Sequence, residues 1–295
     1  MKVLLTCLGI LFVVNSYAQN TMFWNNYAAL NPATSGLVNY QDAYVNFYDQ
    51  VRIKPNPIQS MSANYNLRLA DRFGLGIRYD GDYFYNGRND IGLNYNFQQR
   101  TGRNGTIALG AGIEFSHVKL NQEFIDELDD AIAYVPSSKN IYVNFGIAYS
   151  WKKLLVGATV SNVTEPSVHL GVAPPYETAI GYSGFISYDF RIGKNYMLTP
   201  RGTLSISDGF IDHNLDITLS YLNKFSLGLI ASTFSNAGVH LGWDIKEKYR
   251  IAYLYNHRFL VLQQANSSYH QLTIGFIMQQ KKPRKKTFEM DSPDF

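Results

Sequence analysis

From about residue 44 onward, apolar residues alternate with small or polar ones, stretch after stretch. Gln59, Met61, Ala63, Tyr65, Leu67 and Leu69 interleave with Ser60, Ser62, Asn64, Asn66 and Arg68. Ile91, Leu93, Tyr95 and Phe97 interleave with Gly92, Asn94, Asn96 and Gln98, and Ile107, Leu109, Ala111, Ile113 and Phe115 with Ala108, Gly110, Gly112 and Glu114. A period of two puts the two sets on opposite faces of an extended strand. Followed through the chain, the pattern predicts roughly fourteen strands (about 12–16), from near 43–53 to near 269–279, each about 9–12 residues long. Strands in globular domains average nearer 5–6 residues, whereas about ten tilted residues cross an outer membrane.

The residues on the polar face choose between a sandwich and a barrel. A soluble sandwich turns an apolar face inward and carries Lys, Glu and Thr outside. Here the polar face is Gly, Ser, Asn and Thr with occasional Arg and Asp, the makeup of a lumen. The other face is Leu, Ile and Val, with Tyr, Phe and Trp near the strand ends, as in a lipid belt with aromatic girdles. Tyr65, Tyr95, Trp151, Tyr182, Trp243 and Tyr249 fit such girdles. The expected fold is all-β: a transmembrane, antiparallel, up-and-down barrel over residues 43–279, closed so that every backbone donor is satisfied in lipid.

The ends read differently. Lys2, the apolar run Val3–Val14 and the small-x-small site Ser16-Tyr17-Ala18 have the form of a Sec signal peptide over residues 1–18, too short for a spanning helix. Cleavage after Ala18 removes Cys7, the single cysteine, so disulfides and Cys-based metal or nucleophile sites are excluded. Residues 19–42 form an N-terminal periplasmic or lumenal segment in which Asn31-Pro32 and Ser35-Gly36 are turn signals, suited to a chain folding back at or inside the barrel's base. The tail 280–295 carries Lys281, Lys282, Arg284, Lys285 and Lys286 against three acidic residues, and reads as a basic periplasmic tail able to meet a partner there. Of the net charge of +3, Lys2 and this tail account for all, so the body is neutral and nucleic acid is not expected as a partner.

Connections alternate in length. Short polar turns fall at 70–72, 99–104, 152–153, 192–195, 223–224 and 246–248, and longer ones at 53–58, 84–89, 119–140, 163–177, 207–212 and 260–268. Outer-membrane barrels have short periplasmic turns and longer surface loops, so both termini are expected in the periplasm. Within 121–135, Phe124, Leu128, Ile132 and Val135 recur at helical spacing beside an acidic run that includes Asp129. A short helix at the barrel mouth is expected there, with Phe124, Leu128 and Asp129 as candidate partner contacts. The acidic run lacks the spacing of a calcium loop and reads as a solvated face.

Catalytic signatures are not found. The six histidines show no zinc-enzyme spacing, Ser116 and His117 fall on opposite faces, and Gly181-Tyr-Ser-Gly184 is not a nucleophile elbow. The chain is expected to be non-enzymatic and free of cofactors and metals. Arg78, Asp80, Glu114, Arg201, Asp244 and Arg250 are candidates to point inward, as a charged ring in an open channel or as internal pairs in a plugged barrel.

Several segments occur in a telling order: "YAALNPATSG" (27–36), "RFGLGIRYDGD" (72–82), "YVNFGIAYSWKKLLVGATVSNVTEP" (142–166), "IGYSGFISYDFRIGKNYMLTPRGTL" (180–204), then "KFSLGLIAS", "HLGWDIKEKYRIAYLYNH" and "YHQLTIGFIM". The ordered set resembles the PorP/SprF family of Bacteroidetes outer-membrane proteins, across essentially the whole mature chain. The tail beyond Met278 and a short 53–58 connection depart from that pattern. The resemblance implies a non-enzymatic outer-membrane role with type IX secretion and gliding machinery. Members assist export or surface attachment of large cargo, such as adhesins with C-terminal sorting domains. Implied partners are secretion components, such cargo and the bilayer, with a periplasmic lipoprotein or peptidoglycan-linked protein also possible. The alternative from the residues alone is a porin or apolar-solute channel.

Overall fold

The structure, a computed structural model, describes residues 22–51, 58–82, 86–120, 137–168, 176–232, 236–258 and 268–278. Its wall begins with β1 (Gln41–Val51), β2 (Ile58–Ala70), β3 (Phe73–Asp82), β4 (Asn86–Thr101), β5 (Gly105–Leu120), β6 (Ser137–Trp151) and β7 (Leu154–Ser161). A small separate hairpin follows, β8 (Ser167–Val168) with β9 (Tyr176–Glu177). The wall resumes with β10 (Gly181–Tyr188), β11 (Phe190–Ile192), β12 (Tyr196–Ser207), β13 (Phe210–Tyr221) and β14 (Phe225–Ser232). It ends with β15 (Asn236–Ile245), β16 (Tyr249–Arg258) and β17 (Ser268–Met278). β10 and β11 both pair with β12 and form one stave interrupted at Asp189, so the 15 segments of the sheet make fourteen staves. Each stave pairs antiparallel with its chain neighbour, and β1 pairs with β17 from Gln41↔Met278 to Val51↔Ser268, closing the barrel.

Alternation sorts the side chains as expected. Leu215, Ile217, Leu229 and Leu241 stand out from the barrel at 58%, 55%, 62% and 55% exposure. Their polar neighbours Asp216, Thr218 and His240 are buried in the bore. Among the described residues no helix is long and apolar enough to cross a membrane; crossing is by strands.

Some boundaries differ from the sequence reading. The wall starts at Gln41 rather than 43, because Gln41 and Asp42 already pair with Leu67 and Asn66. The expected long connection at 207–212 is a tight turn, with Asp208 and Gly209 both left-handed at φ 50° and 75°. This is the backbone that two-residue hairpins require. β4 and β5 reach 16 residues and β6 reaches 15, beyond the expected 9–12. At about 3.3 Å per residue these strands outrun the apolar belt and stand clear of it at the long-connection end.

The buried core lies between the wall and the N-terminal segment inside it. Met22 packs on Ile230, Ala252 and Leu254, and Ala33 and Leu37 pack on Ala108 and Ala148. The expected signal peptide at 1–18, the expected helix around Phe124, Leu128 and Asp129, and the tail residues Lys281, Lys282, Arg284, Lys285 and Lys286 lie outside the described residues.

Candidate functional site

The N-terminal segment folds into three single turns, Phe23–Asn25, Tyr27–Leu30 and Pro32–Thr34. Asparagines start the second and third. Asn26 accepts from the Ala29 N–H, and Asn31 accepts from the Ala33 N–H at 2.9 Å, with Pro32 at the first position of its turn. Asparagine at the cap and proline just after it are the usual start of a helical turn. Such short turns leave most of their carbonyls without internal partners, and the wall supplies those partners.

The seat follows one row of inward-facing positions across six strands. Arg68 on β2 stands opposite Gly74 on β3, and Gly74 opposite Asn96 on β4. The row continues through Gly110 on β5, Gly146 on β6 and Thr159 on β7. The segment lies along it in reverse chain order. Arg68 donates to the carbonyls of Gly36 and Leu37 at 2.8 and 3.0 Å. Asn96 donates to Ser35 O at 2.5 Å and Pro32 O at 3.3 Å, and Thr159 to Leu30 O at 2.9 Å. One row further along the strands, Asn94 donates to Ala28 O at 2.9 Å, and in the row beyond it Arg78 donates to Ala29 O at 2.8 Å.

Glycines make the close approach possible. A Cβ at Gly74 would overlap the Ser35 carbonyl oxygen, one at Gly110 the Ala33 backbone, and one at Gly146 the Asn31 side-chain oxygen. Asn31 enters this notch and is fully buried. Its amide donates at 2.9 Å to the carbonyls of Ile147 and Ala158, which face each other across β6 and β7. Gly36, left-handed at φ 66°, turns the chain away against β2, where a Cβ would sit 2.7 Å from Arg68 N.

The other side of the bore holds the front of the segment through charge and aromatic contacts. Asp216 Oδ1 lies 2.7 Å from Arg201 Nη1, and Asp216 Oδ2 lies 2.7 Å from His240 Nε2. Trp24 rests between them, its ring centroid 4.7 Å from that of His240, with the Arg201 guanidinium 5.1 Å from it. Tyr27 stacks at 5.0 Å on Phe185, and burial pushes its hydroxyl above the usual phenol range while the Arg201 charge pulls it back. The inward charged residues are paired rather than ringed around open water. Arg78 contacts Glu114 and Asp80, and Arg250 chelates Asp244 at 2.6 and 2.7 Å.

Of the candidate contact residues, Asn31 and Pro32 are therefore inside the barrel, against the chain's own wall. Sequence reasoning missed Gly74, Gly110, Gly146, Asn94, Asn96 and Arg68 as a seat. A signal was present: glycines recur on the lumenal face at matching heights of neighbouring strands, with asparagines between them. Three or more His, Asp or Glu positioned to hold a metal ion do not occur among the described residues.

A closed fourteen-stave barrel with an apolar exterior, a polar interior and its N-terminal segment folded into the bore is an outer-membrane β-barrel protein. The family model described as "Type IX secretion system membrane protein PorP/SprF" matches residues 14–276, and the chain belongs to that family. Membership associates it with the type IX secretion system and its components. Comparison with curated proteins returns no match. Among solved structures the chain is similar to the CymD monoaromatic hydrocarbon channel (TM-score 0.55, 12% identity, 92% of this chain and 95% of that one). It is also similar to the Ralstonia pickettii toluene transporter TbuX (0.53, 10%, 86% and 93%) and to Acinetobacter baumannii Omp33 (0.53, 10%, 81% and 98%). At these identities the likeness is one of fold.

Proposed function

We propose that this protein is a self-plugged docking barrel of the type IX secretion machinery, which assists export or surface attachment of large cargo such as adhesins without conducting it through its own bore. The carrying observation is the seat. Six consecutive strands present matched space and donors to the segment Leu30–Leu37, and seven of the N-terminal segment's carbonyls, on Ala28, Ala29, Leu30, Pro32, Ser35, Gly36 and Leu37, are hydrogen-bonded to wall side chains. A conduit for folded or extended cargo would not be filled this way.

In this reading the short-turn end, where the N-terminal segment and the end of β17 meet, faces the periplasm. The tail residues Lys281, Lys282, Arg284, Lys285 and Lys286 meet a secretion component there, such as a lipoprotein or a peptidoglycan-linked protein. Phe124, Leu128 and Asp129 stand in the long connection on the cell-surface side, where cargo is held. Asn31 and Pro32 act indirectly, by locking the bore.

The test is affinity purification of the intact membrane complex from cells making the full chain or a chain ending at residue 280. Secretion components or a surface adhesin should co-purify with the full chain and be depleted with the shortened one. Purification of the barrel alone in both cases would sink the secretion reading. Planar-bilayer recordings address the alternative of a porin or apolar-solute channel: steady ion conductance by the unaltered protein would favour it.

A further inference from the structure

The short-turn end carries a second feature that the plug does not use. Its six tight connections, with the strand residues flanking them, hold ten exposed Lys and Arg side chains and two acidic ones, Asp71 and Glu247, although the body of the chain is neutral. The excess is spread around the whole circumference. Each turn contributes at least one cation, so no single facet holds them. At the opposite end the described residues mix signs, as with Asp82, Lys119, Lys139 and Asp208.

Four of these cations stand next to the outer aromatic rings. Arg72 adjoins Phe73, Lys152 adjoins Trp151 and Lys224 adjoins Phe225, the three rings being 37%, 43% and 53% exposed on the outer face. Lys248 stands beside Tyr249 in the same way, and the Lys152 ammonium lies 4.8 Å from the Trp151 ring centroid. Exposed aromatic rings at strand ends mark the level where hydrocarbon gives way to headgroups. A long basic side chain one residue further out places its charge among the phosphates while its stem stays on apolar surface.

We propose that this rim is a binding surface for anionic phospholipid headgroups, gripping the annular lipids of the leaflet at the short-turn end. The ring form and the pairing of Arg72, Lys152, Lys224 and Lys248 with lipid-facing aromatics favour lipid over an acidic protein, which would meet one patch. A radial grip of this kind also leaves the axial mouth of the barrel free. The inference does not depend on a secretion role.

The test uses the full chain reconstituted into phosphatidylcholine vesicles that contain a minor fraction of either brominated phosphatidylglycerol or brominated phosphatidylcholine. Trp151 and Trp243 report from the girdle, and Trp24 from inside the bore. The brominated anionic lipid should quench the girdle tryptophans about twofold or more over the zwitterionic one, since each basic residue near a charged surface contributes. The preference should vanish at about 0.5 M sodium chloride, where charges are screened within a few ångström. It should also vanish in a variant carrying Lys152→Gln, Lys153→Gln, Lys246→Gln and Lys248→Gln that retains the heat-modifiable mobility of a folded barrel. Equal quenching by the two lipids at low salt, or a preference untouched by salt, overturns the proposal. So does rim-dependent binding of polyglutamate without any lipid preference, which would assign the rim to an acidic protein. The salt arm uses the unaltered protein, so a variant that fails to fold does not remove the test.

Discussion

The side-chain oxygen of Asn31 occupies the space that a Cβ on Gly146 would take. The two residues are far apart in the chain, yet neither can be understood alone. Gly146 opens a notch in the wall between β6 and β7, and Asn31 fills it while donating to Ile147 O and Ala158 O. The plug is thus held by shape and by hydrogen bonds at the same point.

Gly146→Ala should unseat this part of the plug while leaving the barrel closed. Overpacking a filled site costs about 1–3 kcal/mol, and the displaced amide loses two acceptors. The expected result is a lower urea midpoint with heat-modifiable mobility retained, together with higher ion conductance in planar bilayers than the unaltered protein gives. A silent Gly146→Ala barrel of unchanged midpoint would contradict the seat.

Asn31→Asp should be worse than Asn31→Ala. The alanine variant loses the two donated bonds and the cap to Ala33, a cost of about 1–3 kcal/mol for the groups left unpaired. In the aspartate variant a carboxylate oxygen would stand 2.9 Å from two carbonyl oxygens where an amide stood. Urea unfolding followed by tryptophan fluorescence ranks the two. Asn31→Ala with Pro32→Ala should also increase protease cleavage within residues 22–40, and an unchanged pattern would reduce the stretch to a linker.

Asp216→Asn should destabilise the far side of the bore. Asp216 is the carboxylate partner of Arg201 and lies 2.7 Å from His240, both beneath Trp24. Breaking a buried pair from one side costs about 3–5 kcal/mol, because a charge is left without a partner. The Trp24 environment should change with it, read as a shift of emission in a variant whose other tryptophans are replaced by phenylalanine.

Leu229→Arg tests the lipid face. Leu229 is 62% exposed near the middle of β14. An arginine there should cost about 2–4 kcal/mol in a bilayer, falling towards zero near the interface. Folding equilibria in vesicles should show that penalty for Leu229→Arg and a much smaller one for Tyr221→Arg at the girdle.

The wall was legible in the sequence because its code is local. In β5, Leu109, Ile113 and Phe115 face outward and Gly112, Glu114 and Ser116 inward, as their spacing requires. The tight turn at Asp208-Gly209 was misread as a longer connection because the flanking Ile206 and Ile211 do not show where a strand stops; pairing with a neighbour does. The seat was not legible for a related reason. A lumenal glycine reads the same whether it bends a wall or receives another chain, and only the register that sets Gly74, Asn96, Gly110 and Gly146 in one row shows which.

By itself, then, the sequence determined a membrane-spanning antiparallel barrel of about fourteen strands, its inside and outside, and the turn-forming character of Asn26–Gly36, because periodicity and turn chemistry act over a few residues. The tertiary structure alone decided that this turn-forming segment lies inside the bore and that the inward charges are paired. Those facts depend on which strands are neighbours and at what height their residues meet, and closure of the barrel sets both.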